Sequence, residues 1–481
     1  MRSIWFDEAF SWRLIQFPFS EMIARAAQDV HPPLYYILLN AWATVFGSSI
    51  VALRSFSIAC FLGVLIGAYL FASYAFQSKR AGWLSVFLLG LSGWALSYAG
   101  EARMYTLGMA LTLFSSWALL VAVRKHSYLW FVLYALFGLA LVLTHYYGFF
   151  TIAAHACFVL GWLVSETRGR VGEILQEKVW WASITALGII FLGFLPWAPA
   201  FLHQLSQVRQ AYWVPELSWR SVPETFYQFF IPSVSIPSST LYERILLFIP
   251  EVLVVLLWLS LVLVHPKRRI HDGIYLTLLL NVLPIVFSIL ISFSGRSLYD
   301  KRFFAFAGIF IFIGIAYLLD SIRWKNPRRI LIGIVLFLLC ISTLRYWKQM
   351  NLSQNTGVHA AVEYIFSNKG DHDPVIVSSP YIYFPVAHYA HEQFGKAEAV
   401  NLYSASGELS HFSGAPIATI ADIAVPEDVA SYKGTVWVVD TTGFTEKPFE
   451  SPKNWHEQSR EMFSEVFVYQ GDVIVRKFLV Q

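Results

Sequence analysis

The feature that most constrains this chain is a series of apolar runs, each close to the ~20 residues a helix needs to cross the hydrocarbon of a bilayer. They fall near residues 50–76, 82–99, 104–122, 128–145, 148–165, 180–202, 244–264, 273–293, 303–320 and 329–347. Hydrocarbon offers no partner to a backbone amide, so such runs must satisfy their own hydrogen bonds as helices, and the alternating pattern of a barrel strand is absent. Composition agrees: 57% of the residues are hydrophobic and 14% are charged, with a mean hydropathy of +0.54. A soluble domain carries roughly a quarter charged residues. The expected fold class is an α-helical polytopic membrane protein of about ten spans. The run 33–47 is too short to cross and reads as a helix lying in the interface, with Pro32 and Pro33 at its entry, where amides lack helical partners.

The net charge of +4 calls for no nucleic acid, because the basic residues sit in loops between spans. Lys79-Arg80, Arg124-Lys125, Arg168 to Lys178, Lys267-Arg268-Arg269 and Arg323 to Arg329 fall on alternate loops. The positive-inside rule makes those loops cytoplasmic. The other side then receives the first loop, 1–49, the Glu101-Ala102-Arg103 turn, Thr144-His145-Tyr146-Tyr147, the loop 203–243, Arg296 to Arg302 and the tail. No apolar run precedes Asp7, so the expectation is one further span upstream; the alternative is a shortened variant with an exported N-terminus. Cys60, Cys157 and Cys340 lie within apolar runs, which argues against a disulfide framework or a cysteine metal site.

The expected division is a membrane domain, 1–349, and an extracytoplasmic α/β domain, 350–481, large enough for its own core. Pro374 to Val377 and Thr435 to Val439 read as buried strands, and Val466 to Leu479 as two strands around Gln470-Gly471-Asp472. Val358–Phe366 and Tyr383–Phe394 read as helices.

A transporter needs ionisable groups at mid-bilayer depth. Here the span centres are nearly free of charge, with Glu251, His155 and Asn281 the notable polar residues. The loops of one side instead gather Asp7, Glu8, His31, Glu101, Arg103, His145, Arg296, Asp300, Lys301 and Arg302. That pattern favours catalysis on a lipid-borne substrate. Each group also has a plainer reading: Asp7-Glu8 as a solvated loop face, Glu101 and Arg103 as a simple ion pair, His145 as an interfacial hydrogen-bonding residue, Tyr212-Trp213 as belt aromatics. Competing classes are a transporter or flippase of lipid-linked glycans and a membrane scaffold whose external domain binds a partner.

The runs Asp7-Glu8-Ala9-Phe10, His31-Pro32-Pro33-Leu34-Tyr35-Tyr36, Phe46-Gly47 and Ala52-Leu53-Arg54-Ser55 resemble the opening of the family 39-type, protein-mannosyltransferase-like glycosyltransferases of the C-type superfamily. Tyr98-Ala99-Gly100-Glu101-Ala102-Arg103-Met104-Tyr105, Thr144-His145-Tyr146-Tyr147-Gly148 and Phe194-Leu195-Pro196-Trp197-Ala198-Pro199 extend the likeness over the first two hundred or so residues. The resemblance implies a polyprenyl-phosphate-linked sugar as donor, undecaprenyl rather than dolichyl, and a protein, lipid or glycan acceptor. It implies reaction on the outer face of the cell's inner (plasma) membrane, with inversion. By position Asp7, with Glu8 beside it, becomes the base that takes the acceptor's proton. Arg296, Lys301 and Arg302 become phosphate-binding candidates, because guanidinium and ammonium groups suit a developing phosphate charge. Glu101 is the second carboxylate, which orients the acceptor, pairs with Arg103, or completes a metal site with Asp7. Magnesium or manganese would suit oxygen ligands, and zinc an added histidine. His31, Arg103, Tyr105 and His145 complete the substrate-binding set.

Overall fold

The computed structural model describes residues 3–232, 241–263, 268–293, 295–350, 357–396, 399–443, 449–465 and 471–480. The chain forms two compact units: Met1–Asp29 with Leu39–Leu53 and Trp347–Gln481, and Val30–Leu38 with Arg54–Tyr346. The expected boundary at residue 350 follows chain order, whereas the compact units bring the N-terminal segment together with the tail.

All ten apolar runs are helical. Among the described residues, seven helices are long and apolar enough to cross a membrane, or eight when a bent pair counts as one span. That pair is Lys79–Gly90 and Gly93–Ala99, bent by 69°. The break is satisfied locally. Ser92 caps the second helix through the Ala95 amide, and the Thr343 hydroxyl donates to the freed Leu91 carbonyl at 2.7 Å. The run 128–145 yields only Tyr128–Val142, 15 residues and so ~22 Å of helix. The run 180–202 continues through a short turn at Leu195–Trp197 into Ala198–Gln210. The expected loop 203–243 therefore begins as helix, and it holds a second helix at Ser221–Phe230.

Polar side chains inside this bundle serve packing. Asn281 accepts from the Trp258 indole at 3.0 Å and donates to the Ala307 carbonyl at 3.0 Å. The Ser116 hydroxyl lies 2.9 Å from His155 Nε2. Such contacts join neighbouring helices where no water competes.

The loops expected to share a side do converge. Arg124 donates to the Tyr74 carbonyl at 2.6 Å, to the Ala75 carbonyl at 3.2 Å and to the Arg269 carbonyl. Arg80 pairs with Asp320 at 3.1 Å. Arg80, Arg124 and Arg269 thus stand on connections at one end of the bundle.

The other unit holds a six-stranded sheet: β1 Val375–Val377, β2 Val400–Tyr403, β3 Ile423–Ala424, β4 Gly434–Thr441, β5 Trp455–Phe463 and β6 Val473–Val480, in the order β3-β2-β1-β4-β6-β5. β3, β2, β1 and β4 run parallel, and β6 and β5 add an antiparallel edge. β1 is buried throughout, as a parallel strand covered on both faces should be. The expected helices are Gly357–Asn368 and Pro380–Phe394, the latter ended by Gly395 at φ +64°. The hairpin expected around Gly471 needs correction. Val466 to Gln470 lie outside the described residues, and besides β4 the strand that pairs with β6 is β5, further upstream. β5 is mostly exposed, so it carries little of the apolar signal that marks a buried strand.

Residues expected to form an exposed opening loop form two helices of this unit, Phe6–Leu14 and Phe19–Ala26. Phe6 packs at 5.0 Å on Tyr381, and Trp12 meets His388 edge-on at 4.8 Å. Asp422 draws the pieces together. It accepts from both the amide and the hydroxyl of Thr419, from the Tyr383 hydroxyl at 2.7 Å, and from Arg13 at 3.2 Å on each oxygen. Burial and the adjacent Asp422 push the Tyr383 phenol up, so it stays a donor.

Candidate active site

The predicted substrate-binding residues of the membrane unit sit at helix ends, at the end opposite the basic connections. His31 precedes helix Leu34–Phe46. Arg103 precedes Tyr105–Lys125, His145 lies between Tyr128–Val142 and Gly148–Glu166, and Arg302 precedes Ala305–Ser321. Arg103, His145 and Arg302 therefore stand at turns between packed helices. The Leu34 amide donates to the Leu143 carbonyl at 3.0 Å, tying the His31 segment to the turn that carries His145.

His31, Arg103 and His145 come together. Arg103 is 3% exposed. Its guanidinium lies 3.4 Å from His31 Nε2 and 3.5 Å from the Tyr36 hydroxyl. The rings of His31 and His145 are 6.2 Å apart. His145 Nδ1 accepts the Tyr147 amide at 3.1 Å, so a neutral ring carries its proton on Nε2. Burial first, then His31 and Arg103, hold its pKa well below the ordinary range. Nε2 is buried with no hydrogen-bond partner among the described residues. Around the ring stand Tyr105, Tyr147, Phe303 and Phe306, 5.1 to 6.3 Å away.

His31 and His145 line a cavity of about 500 Å³ whose walls are otherwise largely aromatic and aliphatic, with Tyr146, Phe149, Phe150, Phe201 and Phe303 among them. A hydrogen-bond chain that the sequence did not disclose stiffens its rim. Trp197 donates to the Tyr146 hydroxyl at 2.9 Å, that hydroxyl donates to Gln204, and Gln204 donates to the His31 carbonyl at 3.5 Å. Trp197 belongs to the Phe194-Leu195-Pro196-Trp197-Ala198-Pro199 motif, but nothing in the sequence pattern singled out Gln204.

The outer cations are less free than expected. Arg296 donates to the Tyr212 carbonyl at 2.6 Å. Arg302 donates to Asp300 at 3.3 Å, and its guanidinium stacks 4.8 Å over Trp213. Asp300 also caps the turn through the Arg302 amide at 2.9 Å, with Lys301 beside it. Glu101 is 9% exposed and its carbonyl accepts the Arg103 amide at 2.8 Å, a tight turn that sets Arg103.

Asp7 and Glu8 belong to the other unit. They lie in the first turn of helix Phe6–Leu14, where the helix dipole favours carboxylates. Glu8 is fully buried, so the reading of the pair as a solvated loop face is corrected. The Ser11 hydroxyl donates to the Asp7 carbonyl at 3.1 Å. Among the described residues no group of three or more His, Cys, Asp or Glu side chains could hold a metal ion.

Residues 30–197 match the profile of a family described as dolichyl-phosphate-mannose-protein mannosyltransferase. The structure is similar to the crystal structure of ArnT from Cupriavidus metallidurans in the apo state, with a TM-score of 0.58 at 12% identity, over 99% of this chain and 94% of that one. It is also similar to the archaeal oligosaccharyltransferase AglB from Archaeoglobus fulgidus in complex with an inhibitory peptide and a dolichol-phosphate. There the TM-score is 0.50 at 12% identity, over 92% of this chain and 66% of that one. No curated protein matches the chain in sequence.

Proposed function

Because the chain is a polytopic membrane protein of the C-type glycosyltransferase fold with a protein-mannosyltransferase-like region over residues 30–197, we propose that it transfers a sugar from a polyprenyl-phosphate donor to an acceptor hydroxyl. The observation that carries this reading is the aromatic-walled cavity bearing His31 and His145, with the buried Arg103 guanidinium on His31. An isoprenoid chain needs apolar walls, and its phosphate needs fixed donors beside them. AglB, solved with a dolichol-phosphate, is a neighbour that binds such a lipid.

In this reading the acceptor oxygen forms its bond to the anomeric carbon as the bond from that carbon to the phosphate oxygen breaks. The electron pair leaves on the phosphate, and the acceptor proton passes to a carboxylate. Asp7 takes the role of base, with Glu8 held beside it in the same helical turn. Arg103 and the Nε2–H of neutral His145 receive the leaving phosphate. Donors already oriented in a dry site stabilise developing charge without reorganising. Arg296, Lys301 and Arg302 act as outer cations that draw the anionic headgroup in. Tyr105 walls the sugar, and Glu101 sets the turn that aims Arg103. A single displacement inverts the anomeric centre. The sugar is a hexose, mannose in the first instance, and the acceptor is a protein, lipid or glycan. The positive-inside pattern supports an outward-facing reaction at the cell's inner membrane.

The test is transfer in membranes from a panel of radiolabelled polyprenyl-phosphate sugars, wild type against Asp7→Asn. Transfer by wild type that is lost in a folded, inserted Asp7→Asn supports the proposal and identifies the sugar. Equal transfer by both removes Asp7 as base. No transfer from any donor by folded wild type overturns the reading.

A further inference from the structure

The six-stranded sheet has a feature that the glycosyl-transfer reading does not use. Its strand order reverses at β1: the chain moves from β1 to β2 and β3 on one side, then returns to place β4 on the other. In open parallel sheets, such a reversal leaves a crevice beyond the carboxyl ends of the two strands, where ligands bind. A cavity of about 250 Å³ lies there. Ser378, just past β1, lines it together with Asp440 and Thr441, the last residues of β4. Arg460 of β5, Arg476 of β6 and Phe449 complete the lining used here.

The side chains in this crevice are arranged at some cost. Arg460 stands directly opposite Arg476 in the β5–β6 register. Like charges facing across a sheet destabilise it. Two carboxylates offset them: Arg476 pairs with Asp440, and Glu457 binds Arg460 at 2.8 and 3.1 Å while lying 3.8 Å from Arg476. Two guanidiniums and two carboxylates leave the crevice rich in hydrogen-bonding groups but without net charge. Nε of Arg476 is buried with no hydrogen-bond partner among the described residues. Such a donor asks for a ligand atom. Phe449, 6% exposed, stands between the rings of Tyr403 and Trp455, 5.0 and 5.7 Å away, and gives the crevice a firm apolar side.

These properties select a ligand class. An isolated anion would gain from the arginines but meet Asp440 as well. The dinucleotide fingerprint, a glycine-rich turn after the first strand, is absent, since Ser378-Ser379-Pro380 follows β1. A neutral sugar ring offers alternating hydroxyl donors and acceptors on its edge and an apolar face, which answers both the charged groups and Phe449.

We propose that this crevice is a saccharide subsite that binds a neutral pyranose through Asp440, Arg476 and Arg460 against Phe449. The inference deepens the glycosyl-transfer reading, on which it rests for its role, by giving a glycan acceptor a hold separate from the reacting hydroxyl.

The experiment is saturation-transfer NMR on the full chain in lipid nanodiscs free of sugar-based detergent, with a panel of neutral methyl pyranosides. At least one pyranoside should receive saturation. Its apparent affinity should fall at least fivefold in Asp440→Asn and severalfold in Arg460→Gln. Arg460 is largely exposed, so that variant keeps its fold and the thermal transition of wild type. Absence of saturation for every sugar, equal affinity in folded Arg460→Gln, or displacement by equimolar inorganic phosphate would each overturn the subsite. Binding should persist in Asp7→Asn. If donor transfer fails while sugar binding stands, the transfer reading falls and the subsite remains; the reverse outcome removes the subsite alone.

Discussion

The two ends of the membrane unit both rely on arginine and use it in opposite ways. At the basic end, Arg124 spends its guanidinium on backbone carbonyls of Tyr74, Ala75 and Arg269, where three helices end or begin. At Tyr74 and Ala75 the charge answers the negative end of helix Ile50–Phe76, and the bond to Arg269 fastens that end to a neighbouring connection. At the other end, Arg103 is buried where Arg124 is only half-buried, and it faces His31 and a tyrosine hydroxyl beside an apolar cavity. One arginine is consumed by the fold. The other is fixed by it against His31 and the Tyr36 hydroxyl. The residue type is the same, and the difference lies in whether its neighbours are peptide groups or the wall of a space large enough for a ligand.

That contrast is broken most directly by truncating each arginine. Arg103→Ala is expected to lower kcat/KM for transfer by about 10²–10³-fold, the scale of losing one oriented donor to a developing negative charge. Arg103→Lys should recover little of it, because an ammonium cannot reproduce a planar fork. Normal transfer by folded Arg103→Ala would mean that both arginines are structural. Arg124→Ala is expected to cost about 2–3 kcal/mol of stability, as charge-assisted bonds to buried carbonyls are lost. Its transfer rate per folded molecule should stay near wild type. Thermal melting alongside the transfer assay separates the two effects.

Finer changes sharpen the comparison. Phe201 meets the rings of Tyr146, Phe149 and Phe194 at 4.8 to 6.1 Å in the cavity wall. Phe201→Ala should raise KM for long-chain donors roughly fivefold, the worth of about 1 kcal/mol of aromatic contact, and change KM little for short-chain ones. The smallest effect concerns pH. The pKa of His145 is depressed in the folded protein, so the unfolded chain binds more protons once pH drops below its ordinary value of about 6.5. Stability carried by the neutral ring is full above that pH and is lost as pH falls through it toward the folded value. Thermal inactivation followed from pH 8 to pH 5 should show this decline in wild type and a flatter profile in His145→Gln.

The spans were legible because hydrocarbon imposes a length and an apolarity that few other environments demand, and the connections carrying Arg80, Arg124 and Arg269, grouped by their charge, do lie together. Legibility failed where the signal was local and mixed. Phe6–Leu14 buries Glu8 along with its aromatics, so its polar residues looked like a loop. β5 is a largely exposed edge strand and offers no apolar run. In the candidate site, His31, Arg103 and His145 were recognisable from their motifs, and the structure places them together. Gln204 was not, since a buried glutamine acting through a backbone carbonyl leaves no pattern in sequence. Arg296 and Arg302 were visible as outlying cations, but sequence could not reveal that a carbonyl, a carboxylate and a tryptophan face already engage them.

The ion pair between Arg13 and Asp422 joins positions 409 residues apart in the chain. At the usual pace of synthesis, about 5–20 residues per second, the first helix waits roughly 20–80 seconds for the carboxylate that will hold it. Through that interval every membrane span between them is made and inserted, while Phe6, Phe10 and Trp12 have no lasting cover. The opening segment is thus a natural client for a holding chaperone. Completion of this unit reports that the entire chain between its two halves has been threaded.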